Sequence, residues 1–207
     1  MFSLVTTRYN TETWNERQRW MEKNNWQGSI YCTPIKPKES IYNTMIVLEM
    51  HNDENQIKAI SLVKKQVVPF EKRPKIYQDS NYTRYIYKSP YRLVIGEIEL
   101  TPMEKVIIAI LNELLFKGAC HSKRSNGITE VPIWIMRNKK IDFLKHFRAL
   151  CKRHCKKAIA ASEAASEAAS EAASEAASEA ASEAASEAAS EAAIEAASEA
   201  AAEILLP

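Results

Sequence analysis

The sequence predicts an α+β fold: a curved, mostly antiparallel sheet of about five strands packed with two or three helices, then a long solvent-exposed single α-helix. Three observations carry this. Short apolar and β-branched runs bounded by polar turns crowd the first half of the chain. After Thr101 the apolar period lengthens to that of a helix. From Ala160 to Glu203 the chain repeats Ala-Ala-Ser-Glu eleven times in register, with only Ile194 and Ala202 standing where serine is expected.

A first helix is predicted from about Thr13 to Asn24, where Thr13 and Glu16 have capping-box spacing and Trp14 and Met21 share a face. Ser29–Thr33 reads as a short strand ended by Pro34 and Pro37. Thr44–Met50 and Gln56–Lys64 flank the polar stretch His51 to Asn55, which predicts a β-hairpin with a loop of four or five residues. Further strands are expected over Tyr82–Lys88 and, after the Ser89-Pro90 turn, over Tyr91–Glu99. Thr101-Pro102-Met103-Glu104 places a capping threonine, a proline at the first helical position and a reciprocating glutamate in sequence. Val106, Ile107, Ile110, Leu111, Leu114 and Leu115 then form an apolar face, and Gly118 is placed to end the helix. A polar loop, Cys120–Asn126, leads to an extended piece around Val131–Met136. A final helix starts near Lys140 with Ile141, Leu144, Phe147, Leu150 and Cys151 inward.

Nothing between Lys157 and Ala160 stops that last helix, so it is expected to run into the repeat. Alanine propensity outweighs glutamate repulsion at four-residue spacing, which predicts a helix of about 65 Å. Four residues turn through about 400°, so every residue type drifts about 40° per unit and no seam forms for a coiled-coil partner. The tract is therefore a solvated rod or spacer rather than a packing element.

Subtracting the tract exposes the electrostatics. All 28 Lys and Arg lie at or before Lys157 with 15 of the 26 acids, so residues 1–157 carry about +13, and the tract about −11; the whole-chain value is +2. The expected division is a basic α+β domain over residues 1–157 and an acidic repeat over 158–207. No apolar run approaches membrane-spanning length and no cationic, then apolar, leader opens the chain, so neither a span nor a secretory signal is expected. Four cysteines without framework spacing predict an intracellular protein. Cys120 and His121 in a loop, with Cys151 and Cys155 on a helix, have the makings of a tetrahedral zinc site. No C-x-x-C exists and Cys151 continues the apolar stripe, so no metal and no cofactor are expected.

Glycine-rich phosphate loops and a nucleophile elbow are missing from a chain with only four glycines. Cys120/His121 and Glu49 are the places to look for catalysis, and no enzyme activity is expected. The basic and aromatic clusters speak more strongly. Tyr82, Arg84, Tyr85, Tyr87, Lys88 and Arg92 interleave rings with cations, and Lys117, His121, Lys123 and Arg124 surround a loop containing Ser125-Asn126-Gly127. Rings that stack bases beside cations that neutralise phosphates are how single-stranded nucleic acid is held. The competing view makes alternate tyrosines core and the cations their solvated neighbours.

The segments SIYCTP, MIVLEMHNDENQIKAISLVKK, NYTRYIYKSPYR and LLFKGACHSKRSNGIT resemble, in that order, an uncharacterised protein group of large DNA viruses of algae and protists, over roughly residues 29–147. That group often carries Gly-Ile-Gly in the second hairpin strand, where this chain has Ala59-Ile60-Ser61. The resemblance implies a host cytoplasm or virion setting and no mechanism. The order of elements is also loosely similar to small PUA-like barrels, which read structured nucleic acid. The functional expectation is a non-enzymatic nucleic-acid-binding module whose partner is single-stranded nucleic acid. The alternative is a structural or virion-associated protein that meets an acidic protein surface, with the long helix as spacer or anchor. Self-association of basic head with acidic tail is a further expectation.

Overall fold

One inner strand of the main sheet is not announced by the periodicity. In the computed structural model, which describes residues 2–37 and 43–154 apart from the side chain of Ser80, β1 spans Phe2–Tyr9. Val5, Thr6 and Thr7 suit a pleated backbone, but almost the whole strand is buried on both faces, so it lacks the alternation that marks a half-exposed strand. Contacts divide the chain into units Met1–Cys155 and Lys156–Pro207. The repeat tract and the helix predicted through it lie outside the described residues.

Asn10 caps helix α1 (Thr11–Lys23): its side-chain oxygen accepts from the Thr13 backbone N–H at 2.9 Å, and the Thr13 hydroxyl accepts from the Asn10 N–H at 3.2 Å. The helix thus starts two residues before the expected Thr13, because Asn10 and not Thr13 is the capping residue. Strand β2 is Ser29–Thr33, and β3 (Thr44–His51) and β4 (Gln56–Lys64) form the expected hairpin. A register shift after Glu49 leaves the Ile57 N–H to be taken by Asn112 Oδ1 at 2.9 Å.

The expected strand over Tyr82–Lys88 is shorter, β5 (Tyr85–Ser89), because residues 80–83 form a 3₁₀ turn capped by Asp79. Only Arg92–Val94 of the predicted Tyr91–Glu99 run is strand (β6), since the chain turns back on Val94, whose carbonyl accepts from Glu97 and Ile98. Helix α2 (Pro102–Phe116) has the predicted reciprocal Thr101–Glu104 cap, and Gly118 sits at φ 78° just beyond it. Its buried face is Ile107, Ile108, Leu111, Leu115 and Phe116. Val106, expected inside, is 53% exposed because the face is turned toward Ile108. The expected extended piece at 131–136 is replaced by a two-residue strand β7 (Thr129–Glu130), then Pro132 and one helical turn, α3 (Ile133–Met136). A last helix, α4, covers residues 143–154.

The main sheet is mixed, in the order β6-β4-β3-β1-β7, with β1 and β3 parallel from Phe2↔Thr44 to Tyr9↔His51 and the other pairs antiparallel. The β2 and β5 strands form a separate antiparallel ribbon instead of joining it. Leu4, Ile46, Leu48 and Ile60 pack with Ile107, Leu111, Phe143 and Phe147 of the helices. Val5, Met45, Val47 and Val63 pack with Met21 of α1 and with Ile30, Tyr31, Ile86 and Tyr87 of the ribbon. Both faces of the sheet are therefore covered, which is what allows its parallel pair.

Candidate functional site

Because β1 and β3 run parallel, their carboxyl ends reach the same edge of the sheet and then diverge, β1 into α1 and β3 into the hairpin loop. Crevices at such ends are recurrent ligand sites in parallel sheets. Here a polar cleft of about 190 Å³ opens against Tyr9, Asn10 and Asn52. Tyr77 and Tyr82 form one wall, their rings edge-to-face at 5.5 Å. Lys123, Ser125, Asn126 and Gly127 form another.

Arg8, Asn52 and Gly127 set the course of the 122–129 segment. Arg8 donates through Nε to the Ser122 carbonyl, through Nη1 to the Gly127 carbonyl at 3.3 Å, and through Nη2 to the Thr129 and Thr6 hydroxyls at 2.6 and 2.7 Å. Burial lowers its pKa to about 10, which leaves it charged at neutral pH. Asn52 Nδ2 donates to the Lys123 carbonyl at 3.2 Å. Gly127, at φ 70°, lets the chain turn where a Cβ would come within 3.3 Å of Thr33 Cβ.

Beneath the cleft lies an ionic cluster sealed between the sheet, α1 and the ribbon. The Glu49 carboxylate accepts from Arg17 Nη2 at 2.7 Å, Arg92 Nη2 at 3.0 Å and Nε at 3.1 Å, and the Tyr31 hydroxyl at 2.8 Å. Burial alone would raise its pKa, but Arg17 and Arg92 outweigh that and bring it to about 2. Arg17 also donates to the Tyr9 hydroxyl at 3.0 Å and stacks on the Tyr9 and Trp14 rings. Burial is the largest influence on Arg17 and lowers its pKa, yet Glu49 and Tyr9 overcome it and the net shift is upward. The cluster thus stays ionised and pins Tyr9 under the cleft. The Tyr9 phenol and Cys32 thiol, both lining it, are pushed up to about 12 chiefly by burial and stay protonated at neutral pH.

Comparison with protein-family models, with curated proteins and with solved structures finds no match.

Of the predicted binding residues, the fold brings Tyr82 and Lys123 together in the cleft. Arg84 and Arg124 are exposed beside them in sequence, and Tyr85 is half-buried on β5. His121 accepts from the Lys123 N–H at 3.3 Å through Nδ1. Lys117 is exposed and paired with Glu113 at 2.8 Å, which leaves it a helix-surface ion pair. Lys88 lies away from the cleft, its ammonium 4.6 and 5.1 Å from the Trp26 and Trp20 rings. Two residues do not face solvent. Tyr87 is fully buried because β5 turns it toward the sheet, and the Arg92 side chain is only 5% exposed because its guanidinium is committed to Glu49. Neither can touch a ligand without opening the fold.

Residues the sequence reading missed include Arg8, Asn52 and Tyr77. Arg8 and Tyr77 stand outside any cluster and Asn52 sits in a stretch that reads only as a turn, so only the chain's return to the same edge reveals them. Among the described residues no three His, Cys, Asp or Glu side chains gather in a way that could hold a metal. Cys120 is exposed, whereas Cys151 is buried in the helical layer. No described helix is long and apolar enough to cross a membrane.

Proposed function

We propose that this chain is a non-enzymatic nucleic-acid-binding protein, and that the cleft at the ends of β1 and β3 receives a base of a single strand. The observation that carries the reading is the meeting of Tyr82 and Lys123, drawn from two distant clusters, with Tyr77 in one polar cleft. A ring edge or face takes a base without regard to sequence, and the ammonium of half-buried Lys123, 6.0 Å from the Phe116 ring, takes the adjoining phosphate. Exposed Arg84 and Arg124 follow Tyr82 and Lys123 in the chain, and residues 1–157 carry about +13, so a strand leaving the cleft meets further cations. The resemblance to proteins of large DNA viruses sets this activity, as part of the same proposal, in an infected cell or a virion.

The test is titration of the full chain with a labelled single-stranded RNA or DNA oligomer at two salt concentrations. Affinity should fall steeply with salt, as counterion release demands. Tyr82→Ala should cost about 1–3 kcal/mol at either salt, while Lys123→Ala and Arg124→Ala should flatten the salt dependence. Absence of binding at low salt, or affinity indifferent to loss of Arg84 and Arg124, refutes the proposal.

A further inference from the structure

At the opposite end of β1 from the cleft, two depressions meet at Phe2 and Leu62, which line both. One, of about 380 Å³, is floored by Phe2, Ile46 and Leu62 from the adjacent strands β1, β3 and β4 and is bordered by α4. The other, of about 570 Å³, continues over Val67, Val68 and Tyr91. Lys64, Lys88, Lys145, Arg148 and Lys152 rim this groove, and the described lining residues include no carboxylate.

The arrangement of the cations selects the ligand. Lys145, Arg148 and Lys152 stand at i, i+3 and i+7 on α4, a row about 10 Å long at the helical rise. The floor crosses three neighbouring strands, again about 10 Å at ordinary strand spacing. The Arg148 guanidinium lies over the Phe2 ring at 5.0 Å, so the charged rim is tied directly to the apolar floor. We propose that this groove docks an acidic amphipathic helix of a partner protein. Two turns of such a helix put apolar side chains at i, i+3 or i+4, and i+7 onto the floor, with a flank of carboxylates along the cationic row. A single-headed anionic lipid needs one cation at the mouth of an enclosed tunnel, whereas here the charges are strung along an open groove. None of the three α4 cations lines the polar cleft, so this surface is independent of the nucleic-acid reading.

The probe is a labelled peptide of about 14 residues with leucines in helical register and glutamates on one flank, titrated into the full chain. A scrambled peptide of the same composition and a lysine-for-glutamate peptide in the same register run beside it. The register peptide should bind at least about tenfold more tightly than either, and Arg148→Glu with Lys152→Glu should weaken it about tenfold or more. Both substituted residues are exposed, and circular dichroism checks that the double variant is folded. If it is not, the three-peptide comparison on the unaltered chain decides. Equal binding of the scrambled peptide, preference for the lysine peptide, or indifference of the folded double variant overturns the proposal. So does laurate binding that displaces the peptide while the peptide gains no helical signal, which assigns the groove to anionic lipid.

Discussion

Replacing Glu49 by glutamine keeps the shape of the side chain and removes the one negative charge between Arg17 and Arg92, both almost wholly out of water. The size of the effect follows in two ways. The carboxyl pKa falls from 4.5 to about 2 on folding, a difference of about 3 kcal/mol. Removing one partner of a buried ion pair costs about 3–5 kcal/mol, because the remaining charge is left uncompensated. For a chain of this length about 3 kcal/mol corresponds to a fall in Tm of about 6–12 °C. The folded-state pKa is depressed, so this stabilisation is complete above the ordinary carboxylate pKa and is lost as pH falls from about 4.5 through 2. Urea denaturation of the parent and Glu49→Gln proteins between pH 7 and pH 2 measures it. The gap should be about 3 kcal/mol at pH 7 and close as the pH falls. A gap below about 1 kcal/mol at pH 7, or one independent of pH, refutes the argument that the ionised carboxylate holds this core together.

Other perturbations follow from the same geometry. Gly28→Ala places a Cβ 2.2 Å from the Ser89 carbonyl oxygen and 2.9 Å from Pro90 Cα. It should lower stability by about 1–3 kcal/mol, and an unchanged urea midpoint would show that the ribbon absorbs the clash. Arg8→Leu deletes four hydrogen bonds, three of them to residues 122–129. Amide exchange there should rise while α2 stays protected, and unchanged protection would show that Arg8 does not anchor the segment. Replacing the eleven tract glutamates by glutamine moves the net charge from +2 to about +13. Association with a labelled oligonucleotide should then quicken and become more salt-sensitive. Unchanged kinetics would make the tract's charge a bystander.

The legible parts of the fold were those with local chemical markers. The Thr101–Glu104 cap, Pro102 and Gly118 bound α2 closely, and the polar stretch after Met50 set the hairpin, because capping and turn formation involve neighbours in sequence. The apolar stripe on α4 was visible for the same reason: Phe147, Leu150 and Cys151 are buried as their spacing predicts. Two stretches of strand-like composition are not strand throughout, because a local cap or proline breaks each of them. Tyr82–Lys88 carries strong strand composition, yet Asp79 caps a 3₁₀ turn over its first residues. At 131–136, Pro132 ends the strand and starts a helical turn. For the cleft, clustering in sequence pointed to Tyr82 and Lys123 but equally to Tyr87 and Arg92, which the fold turns inward.

The sequence by itself determined the charge division between head and tract, the start and stop of α2, the hairpin and the α+β class, since each depends on composition or on residues a few positions apart. Only the tertiary structure decided that Phe2–Tyr9 lies inside a mixed sheet, between β3 and β7 and parallel to β3, and that β2 and β5 leave to form a ribbon. Only it brought Arg17 and Arg92 onto Glu49, and Tyr77, Asn52 and Lys123 to one edge. Parallel pairing and buried ion clusters depend on contacts between distant segments. A polar residue such as Arg8, Arg17 or Glu49 reads as surface until the partner that compensates its burial is in place.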